Sequence, residues 1–277
     1  MRTVAVVLAG GAGLRLGGTV PKQLQLLADR TLVEHCVAAF DAAPGIDEVI
    51  VVVPDDLIAE ARRILGNRYG KVRDIIAGGS TRPGSTRRAI DLLSHAHPGQ
   101  DCNVLFHDAA RPLVDQRIIA DCVAGLGRCE ALGVVVPTSD TIVEVADGVM
   151  TTIPPRESLG RCQTPQGFRL SVIRRAHELA AADPDAASFS ATDDCGVVLR
   201  YLPEIQVHTV PGSERNIKIT YPGDLRTAEA ALAEEAAGLP AVTRVTRVAR
   251  SHHVGAMGAD LPTVGGGHLH THVPTRA

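Results

Sequence analysis

A three-layer α/β/α sandwich on a mostly parallel sheet is the fold class that this sequence predicts, on three observations. Short apolar runs of strand length alternate with segments of helical spacing. Glycine- and proline-containing loops punctuate the changes between them. Aromatic residues make up only 3% of the chain and Trp is absent, while hydrophobic residues reach 45%. The core must then be aliphatic, which suits parallel strands covered by Ala-rich helices.

Val4–Leu8 is a continuous apolar run ending in glycines, and reads as a buried strand. Thr31–Ala43 places Leu32, Val33, Cys36, Val37 and Phe40 on one helical face. Glu48–Pro54 contains five consecutive β-branched residues and predicts a second buried strand. Helix Leu57–Leu65, a weaker strand Lys71–Ala77 and helix Ser85–His95 follow. Asn103–Phe106 is another buried strand, ending at His107-Asp108. Beyond it the spacing predicts a helix over Arg117–Leu132 and a strand over Gly133–Pro137.

Asp140–Thr152 predicts a hairpin arm turning at Asp147-Gly148, within an arm region of about 138–155. Helices Leu170–Ala182 and Asp194–Tyr201, strand Gln206–Val210, a strand end at Lys218–Thr220 and a closing helix Leu225–Ala237 complete the domain, 1–237. From 238 to 277 the composition shifts to His, Gly, Thr and Pro without a period, which predicts a flexible tail. His252-His253 and His268, His270 and His272 in this tail are read as incidental rather than as a metal site.

Bulk properties narrow the function classes. The formal net charge of −3 argues against a protein that coats nucleic acid. Apolar runs stay well short of the ~20 residues that span a bilayer. A strand-like run stands where a secretory segment would, and the six cysteines form no CxxC pair. The expectation is a cytoplasmic chain with reduced thiols.

Crossover connections bring the loops that follow parallel strands to one sheet edge, where ligands of such folds bind. Gly10–Gly13, Gly78–Arg82 and His107–Pro112 fall there, as does Pro54-Asp55. In the first loop, Gly10, Gly11, Ala12 and Gly13 let backbone amides turn toward an anion. Arg15 adds a forked cation and Lys22 a point charge suited to phosphate. The dinucleotide fingerprint fails because Leu16 occupies its last glycine position, and no G-K-[ST] follows.

The second loop, with Gly79, Ser80, Arg82 and Ser85, is assigned to the nucleotide. Its glycines allow close approach of a flat base, and Ser85 either hydrogen-bonds the ligand or caps the next helix. In the third, Asp108 closes a buried strand. Its carboxylate reaches a magnesium ion or a substrate hydroxyl, or is neutralised by Arg111 as a structural ion pair. His107 reads as a hydrogen-bonded structural histidine. Arg156 and Lys218 stand in otherwise uncharged loops, suited to a second phosphate or to solvent.

The ordered motifs L-A-G-G-A-G-L-R-L-G with P-K-Q, G-G-S-T-R-P-G-S, H-D-A-A-R-P, Q-T-P-Q-G-F, T-D-D and N-I-K-I-T run from Leu8 to Thr220, within a likeness that spans about residues 3–236. Together they resemble the cytidylyltransferases acting on 2-C-methylerythritol 4-phosphate and on ribitol 5-phosphate. The resemblance implies a Rossmann-like nucleotidyltransferase sandwich that uses CTP and Mg²⁺. It places Leu8, Ala9, Gly10, Gly79, Ser80 and Ser85 around cytosine and ribose, and Gly13, Arg15 and Lys22 at the triphosphate. Lys218 is placed at the α-phosphate, so that Arg15, Lys22 and Lys218 are the catalytic cations. Asp108, Arg111, Thr141, Arg156 and Thr164 are placed on the polyol-phosphate side, with Arg156 supplied partly across a homodimer by the hairpin arm.

Gly10 departs from the methylerythritol pattern, where an Ala is usual. Pro154–Ser158, Thr192–Leu199 and Pro211–Glu214 look nearer to the ribitol-phosphate branch, whereas H-D-A-A-R-P fits the methylerythritol group. The resemblance therefore implies transfer of CMP to a polyol phosphate, with D-ribitol 5-phosphate favoured. The alternative is the methylerythritol phosphate of isoprenoid biosynthesis. A dinucleotide-binding oxidoreductase and a non-catalytic nucleotide sensor are the remaining classes. The failed fingerprint counts against the first, and the retention of both lysines against the second.

Overall fold

A computed structural model of the chain describes residues 1–11, 20–96, 98–185 and 193–238. Ala12, Gly13 and Arg15 of the first loop, Thr192, and the His-containing segment 239–277 lie outside the described residues.

Among the described residues a seven-stranded sheet carries the fold, in the order β11-β7-β10-β6-β1-β4-β5. These strands are β1 (Thr3–Leu8), β4 (Glu48–Val53), β5 (Val72–Ala77), β6 (Asn103–Asp108), β7 (Ala131–Pro137), β10 (Gly160–Arg169) and β11 (Val207–Pro211), while β2 (Leu26–Leu27) and β3 (Arg30–Thr31) pair as a separate two-stranded ribbon. β1 pairs in parallel with both β4 and β6, and β4 with β5. β7 pairs in parallel with β11. Only β10 runs against its neighbours, β6 and β7.

Period-2 alternation divides the strand side chains between two cores. Ala5 and Val7 face the core beneath helices α1 (Leu32–Ala42), α2 (Ile58–Leu65) and α4 (Gln116–Leu126). Val4, Val6 and Leu8 face the core beneath α3 (Arg82–Ala96), α5 (Leu170–Ala182) and α6 (Asp194–Tyr201). A smaller cluster joins Leu27, Leu32 and Ile219 to Ala228 of α7 (Pro222–Ala236). The three predicted layers are present.

Four local expectations are corrected. The helix expected over Arg117–Leu132 ends at Leu126, and β7 already begins at Ala131. Gly125 lets the last turn of α4 lie against β7, since a Cβ there would stand 2.6 Å from the Leu132 side chain, and the Gly127 amide closes that turn onto the Ala124 carbonyl. α3 begins at Arg82 rather than Ser85. Lys218–Thr220 pairs with no strand.

The fourth is β10, absent from the sequence reading. Its sequence GRCQTPQGFR lacks apolar alternation and contains a proline, which argues against a central strand. The sheet accommodates it by a register shift between Gln163 and Gln166. Its buried Gln163, Thr164 and Gln166 all find hydrogen-bond partners.

The hairpin arm forms as β8 (Glu144–Ala146) and β9 (Val149–Thr152). Asp147 and Gly148 both take positive φ at its turn, the geometry that a two-residue hairpin requires. The arm presents Val145, Val149, Met150 and Ile153 to solvent, each more than half exposed.

Candidate active site

Strand order reverses between β1 and β6, because β4 and β5 extend one way and β6 the other. At the carboxyl ends of these strands lies a cleft of about 480 Å³. A topological switch point leaves this crevice because the loops leaving the two strands turn to opposite faces. Leu8, Ala9, Gly10 and Gly11 form its floor, with Lys22, Ser80, Thr81, Arg82, Ser85, Asp108 and Lys218 around it. The cleft thus gathers residues from three of the four predicted loops, and Lys218 from a further segment, whereas Pro54-Asp55 does not line it.

Ala9 continues the β1 ladder by one bond, from its amide to the Val52 carbonyl at 2.7 Å. Lys22 opens a single 3-10 turn, Lys22–Leu24, directly after Pro21. The Pro21 φ of −52° fixes the entry to that turn.

The glycines of the second loop have a reason beyond ligand approach. A Cβ on Gly10 would stand 2.9 Å from the Ser85 Oγ, and one on Gly78 would stand 2.7 Å from it. A Cβ on Gly79 would meet the Gly84 backbone at 2.7 Å. These glycines therefore let β1, β4 and α3 pack closely around Ser85, and Gly79 lies against the protein rather than on the cleft wall. Ser85 is not the helix cap. The Thr81 Oγ1 accepts from the Gly84 amide at 3.1 Å, while the Ser85 hydroxyl donates to the Thr81 carbonyl at 3.1 Å.

Asp108 is the charge centre of the cleft. Its Oδ1 accepts from the Arg82 Nε at 3.2 Å and its Oδ2 from the Lys218 Nζ at 2.8 Å. Burial pushes its carboxyl upward, but Arg82 and Lys218 outweigh this and hold it well below the usual carboxylate range. The Asp108–Arg111 ion pair, the structural alternative for these residues, does not form. The Arg111 guanidinium donates instead to the carbonyls of Asn216 at 2.8 Å and Cys162 at 3.3 Å. Burial lowers the Arg111 pKa, and its Nε is buried without a partner.

Thr164, expected on the substrate side, is turned into the sheet. It sits in a chain whose donors can be assigned. The Arg111 carbonyl can only accept, so the His107 Nε2 carries the proton that bridges them at 3.0 Å. The His107 Nδ1 then accepts from the Thr164 hydroxyl at 3.0 Å, and that same oxygen accepts from the Asp108 amide at 3.1 Å. Burial pushes the His107 pKa down to about 4, so the ring is neutral, as the assignment requires. His107 is a structural residue, as expected, and Thr164 acts by fixing the backbone of Asp108.

Arg156 lies apart from the cleft lining and donates to the Thr141 Oγ1 at 3.0 Å at the base of the arm. Behind Arg82 stands a residue that the sequence reading left without a role. The fully buried Asp194 takes the Arg82 Nη1 at 2.8 Å and faces the His177 Nε2 at 3.3 Å. The T-D-D motif marked it, but nothing in the amino-acid order pointed to its partner. Gln23 and Thr220 also line the cleft.

No group of three metal-ligating side chains occurs among the described residues. Both Asp108 oxygens are occupied by cations, so this arrangement does not make Asp108 a metal ligand. No helix among the described residues is long and apolar enough to cross a membrane.

Residues 3–234 match the protein family described as 2-C-methyl-D-erythritol 4-phosphate cytidylyltransferase. The chain is 52% identical over 237 residues to the enzyme of that name from Thermobifida fusca, covering 83% of this chain and 93% of the relative. It is 36% identical over 231 residues to the bifunctional ribulose 5-phosphate reductase/CDP-ribitol pyrophosphorylase Bcs1 of Haemophilus influenzae, covering 82% of this chain and 48% of that protein. Among solved structures it is similar to 4-diphosphocytidyl-2C-methyl-D-erythritol synthase from Anaerococcus prevotii, with a TM-score of 0.72 and 27% identity over 84% of this chain and 98% of the other. The Thermus thermophilus 2-C-methyl-D-erythritol 4-phosphate cytidylyltransferase gives a TM-score of 0.63 at 29% identity, covering 82% and 98%.

Proposed function

The chain belongs to the 2-C-methyl-D-erythritol 4-phosphate cytidylyltransferase family and is a CTP-dependent cytidylyltransferase, and we propose that its acceptor is 2-C-methyl-D-erythritol 4-phosphate. The observation that carries this reading is the 52% identity to a relative of that name along nearly its whole length. The ribitol-phosphate preference that the loop motifs suggested gives way to it, because the CDP-ribitol relative stands at 36% and extends over twice the matched length.

In the proposed reaction an oxygen of the acceptor phosphate attacks the α-phosphorus of CTP in line, and pyrophosphate leaves with the bonding electron pair. The nucleophile is already ionised at neutral pH, so no protein base is required. The barrier is repulsion and crowding at phosphorus, and catalysis is positioning and charge stabilisation. Leu8, Ala9, Gly10, Ser80 and Ser85 receive the cytidine. Lys22 and Arg15 hold the triphosphate, and Lys218 leaves Asp108 for the α-phosphate. Arg111 answers the acceptor phosphate. Mg²⁺, which the resemblance implies, would neutralise triphosphate charge beside Lys22 and Arg15, and none of the described residues is assigned as its ligand.

The exposed apolar hairpin supports a homodimer in which each arm carries Thr141 and Arg156 to the partner's acceptor site. A cytoplasmic location accords with small anionic substrates. Residues 238–277 are read as dispensable for catalysis. The deciding experiment is pyrophosphate release with CTP, Mg²⁺ and a panel of polyol phosphates. A kcat/KM higher with D-ribitol 5-phosphate than with the methylerythritol phosphate would reverse the acceptor assignment.

A further inference from the structure

Five charged or titratable groups from five segments form one continuous chain beside the cleft. His177 of α5 meets Asp194 of α6 at 3.3 Å, Asp194 meets Arg82 of α3 at 2.8 Å, Arg82 meets Asp108 of β6 at 3.2 Å, and Asp108 meets Lys218 at 2.8 Å. Arg82, Asp108 and Lys218 line the cleft, whereas Asp194 and His177 do not. An aspartate with 1% side-chain exposure is costly unless its charge is met. The surrounding backbone is fixed to meet it: the Gln166 Oε1 accepts the amides of both Asp194 and Cys195 at 3.1 Å. The Asp193 Oδ1 caps the same helix through the Gly196 amide at 2.8 Å.

We propose that Asp194 is a positioning residue for cytidylyl transfer, acting through Arg82. Asp194 and Asp108 hold two different nitrogens of one guanidinium, so Arg82 is clamped in its plane between two carboxylates. Its charge is shared, and it remains on only one oxygen of Asp108. The other oxygen is left to Lys218, which exchanges it for the nucleotide phosphate. Without the Asp194 charge, nothing keeps Arg82 from swinging onto both oxygens of Asp108. Lys218 would then lose the anchor from which it is delivered to the α-phosphorus. Asp194 touches nothing in the cleft itself, so its loss weakens the chemical step more than the binding of CTP. The inference rests on the reading of this cleft as the CTP site.

The test is a double-mutant cycle on the full chain. Asp194→Asn keeps the shape of the side chain and one acceptor for Arg82. It should lower kcat by about 10²-fold, the scale of a displaced catalytic geometry, with equilibrium CTP binding changed less than twofold. Arg82→Lys should lower kcat on its own. Adding D194N to R82K should then cost no more than about twofold further, because the two act as a unit. Independent effects that multiply would overturn the proposal, as would D194N with normal kcat. A purely structural role would lower Tm without this non-additivity.

Should D194N fail to fold, His177→Ala reaches the chain from behind. A several-fold fall in kcat that vanishes in the R82K background supports the proposal, and an unchanged kcat overturns it. Wild-type protein inert toward CTP with every acceptor would overturn the cytidylyl-transfer reading as well. An active wild type with multiplying effects overturns the positioning role alone.

Discussion

Lys218 and Asp108, 110 residues apart in the chain, are joined across the mouth of the cleft at 2.8 Å. The cation proposed for the α-phosphate therefore rests on a carboxylate. The pair holds the lysine in the cleft without leaving a buried charge uncompensated. A triphosphate competes for the lysine with higher charge, and Arg82 keeps Asp108 compensated after the exchange.

Lys218→Ala and Lys22→Ala should leave the fold intact and reduce turnover by about 10²–10³-fold each, by analogy with the loss of one transition-state donor. Steady-state pyrophosphate release with purified variants measures this. Near-normal kcat in either variant would remove that lysine from the mechanism.

Acid should destabilise the protein through His107. Its folded pKa is lowered to about 4 from 6.5, so the unfolded chain binds a proton at a higher pH than the folded one. The contribution of the neutral ring is complete above pH 6.5 and is lost as pH falls toward about 4. Its limit is about 3 kcal/mol at 1.36 kcal/mol per unit. Urea unfolding of wild type and His107→Gln across this window should show a shallower pH slope in the variant. Parallel slopes would mean that His107 is not buried neutral.

Glycine substitutions should separate packing from ligand approach. Gly79→Ala meets the Gly84 backbone at 2.7 Å, which cannot rotate away, and should cost about 1–3 kcal/mol of stability. Gly10→Ala meets only the Ser85 hydroxyl at 2.9 Å and should cost less. Pairing it with Ser85→Ala should recover part of that loss. Thermal unfolding of the three variants checks the order, and equal losses for Gly10→Ala and Gly79→Ala would contradict the packing account.

Val145→Asp with Val149→Asp places charges on an exposed apolar hairpin and should convert a dimer to monomers in sedimentation. The acceptor KM should rise while CTP affinity holds, because Arg156 and the adjoining Thr141 are proposed to serve the partner's site. A wild-type monomer of full activity would refute the arm exchange.

The amino-acid sequence alone specifies the layers, the order of most elements and the edge at which the loops gather. These follow from period, β-branching and turn chemistry, which act between near neighbours. It located Gly10, Lys22, Ser85, Asp108 and Lys218 on loops that do converge on one cleft. It did not reveal β10, whose buried glutamines and threonine mimic a polar loop until Ser213, His107 and Asp193, all distant in the chain, satisfy them. Nor did it show that Asp108 pairs with Arg82 rather than with the nearby Arg111, or that Thr164 faces His107 instead of a ligand. Those outcomes depend on distances between groups far apart in the chain. A buried charge takes the partner that the fold brings within hydrogen-bond reach, and sequence proximity does not set that distance.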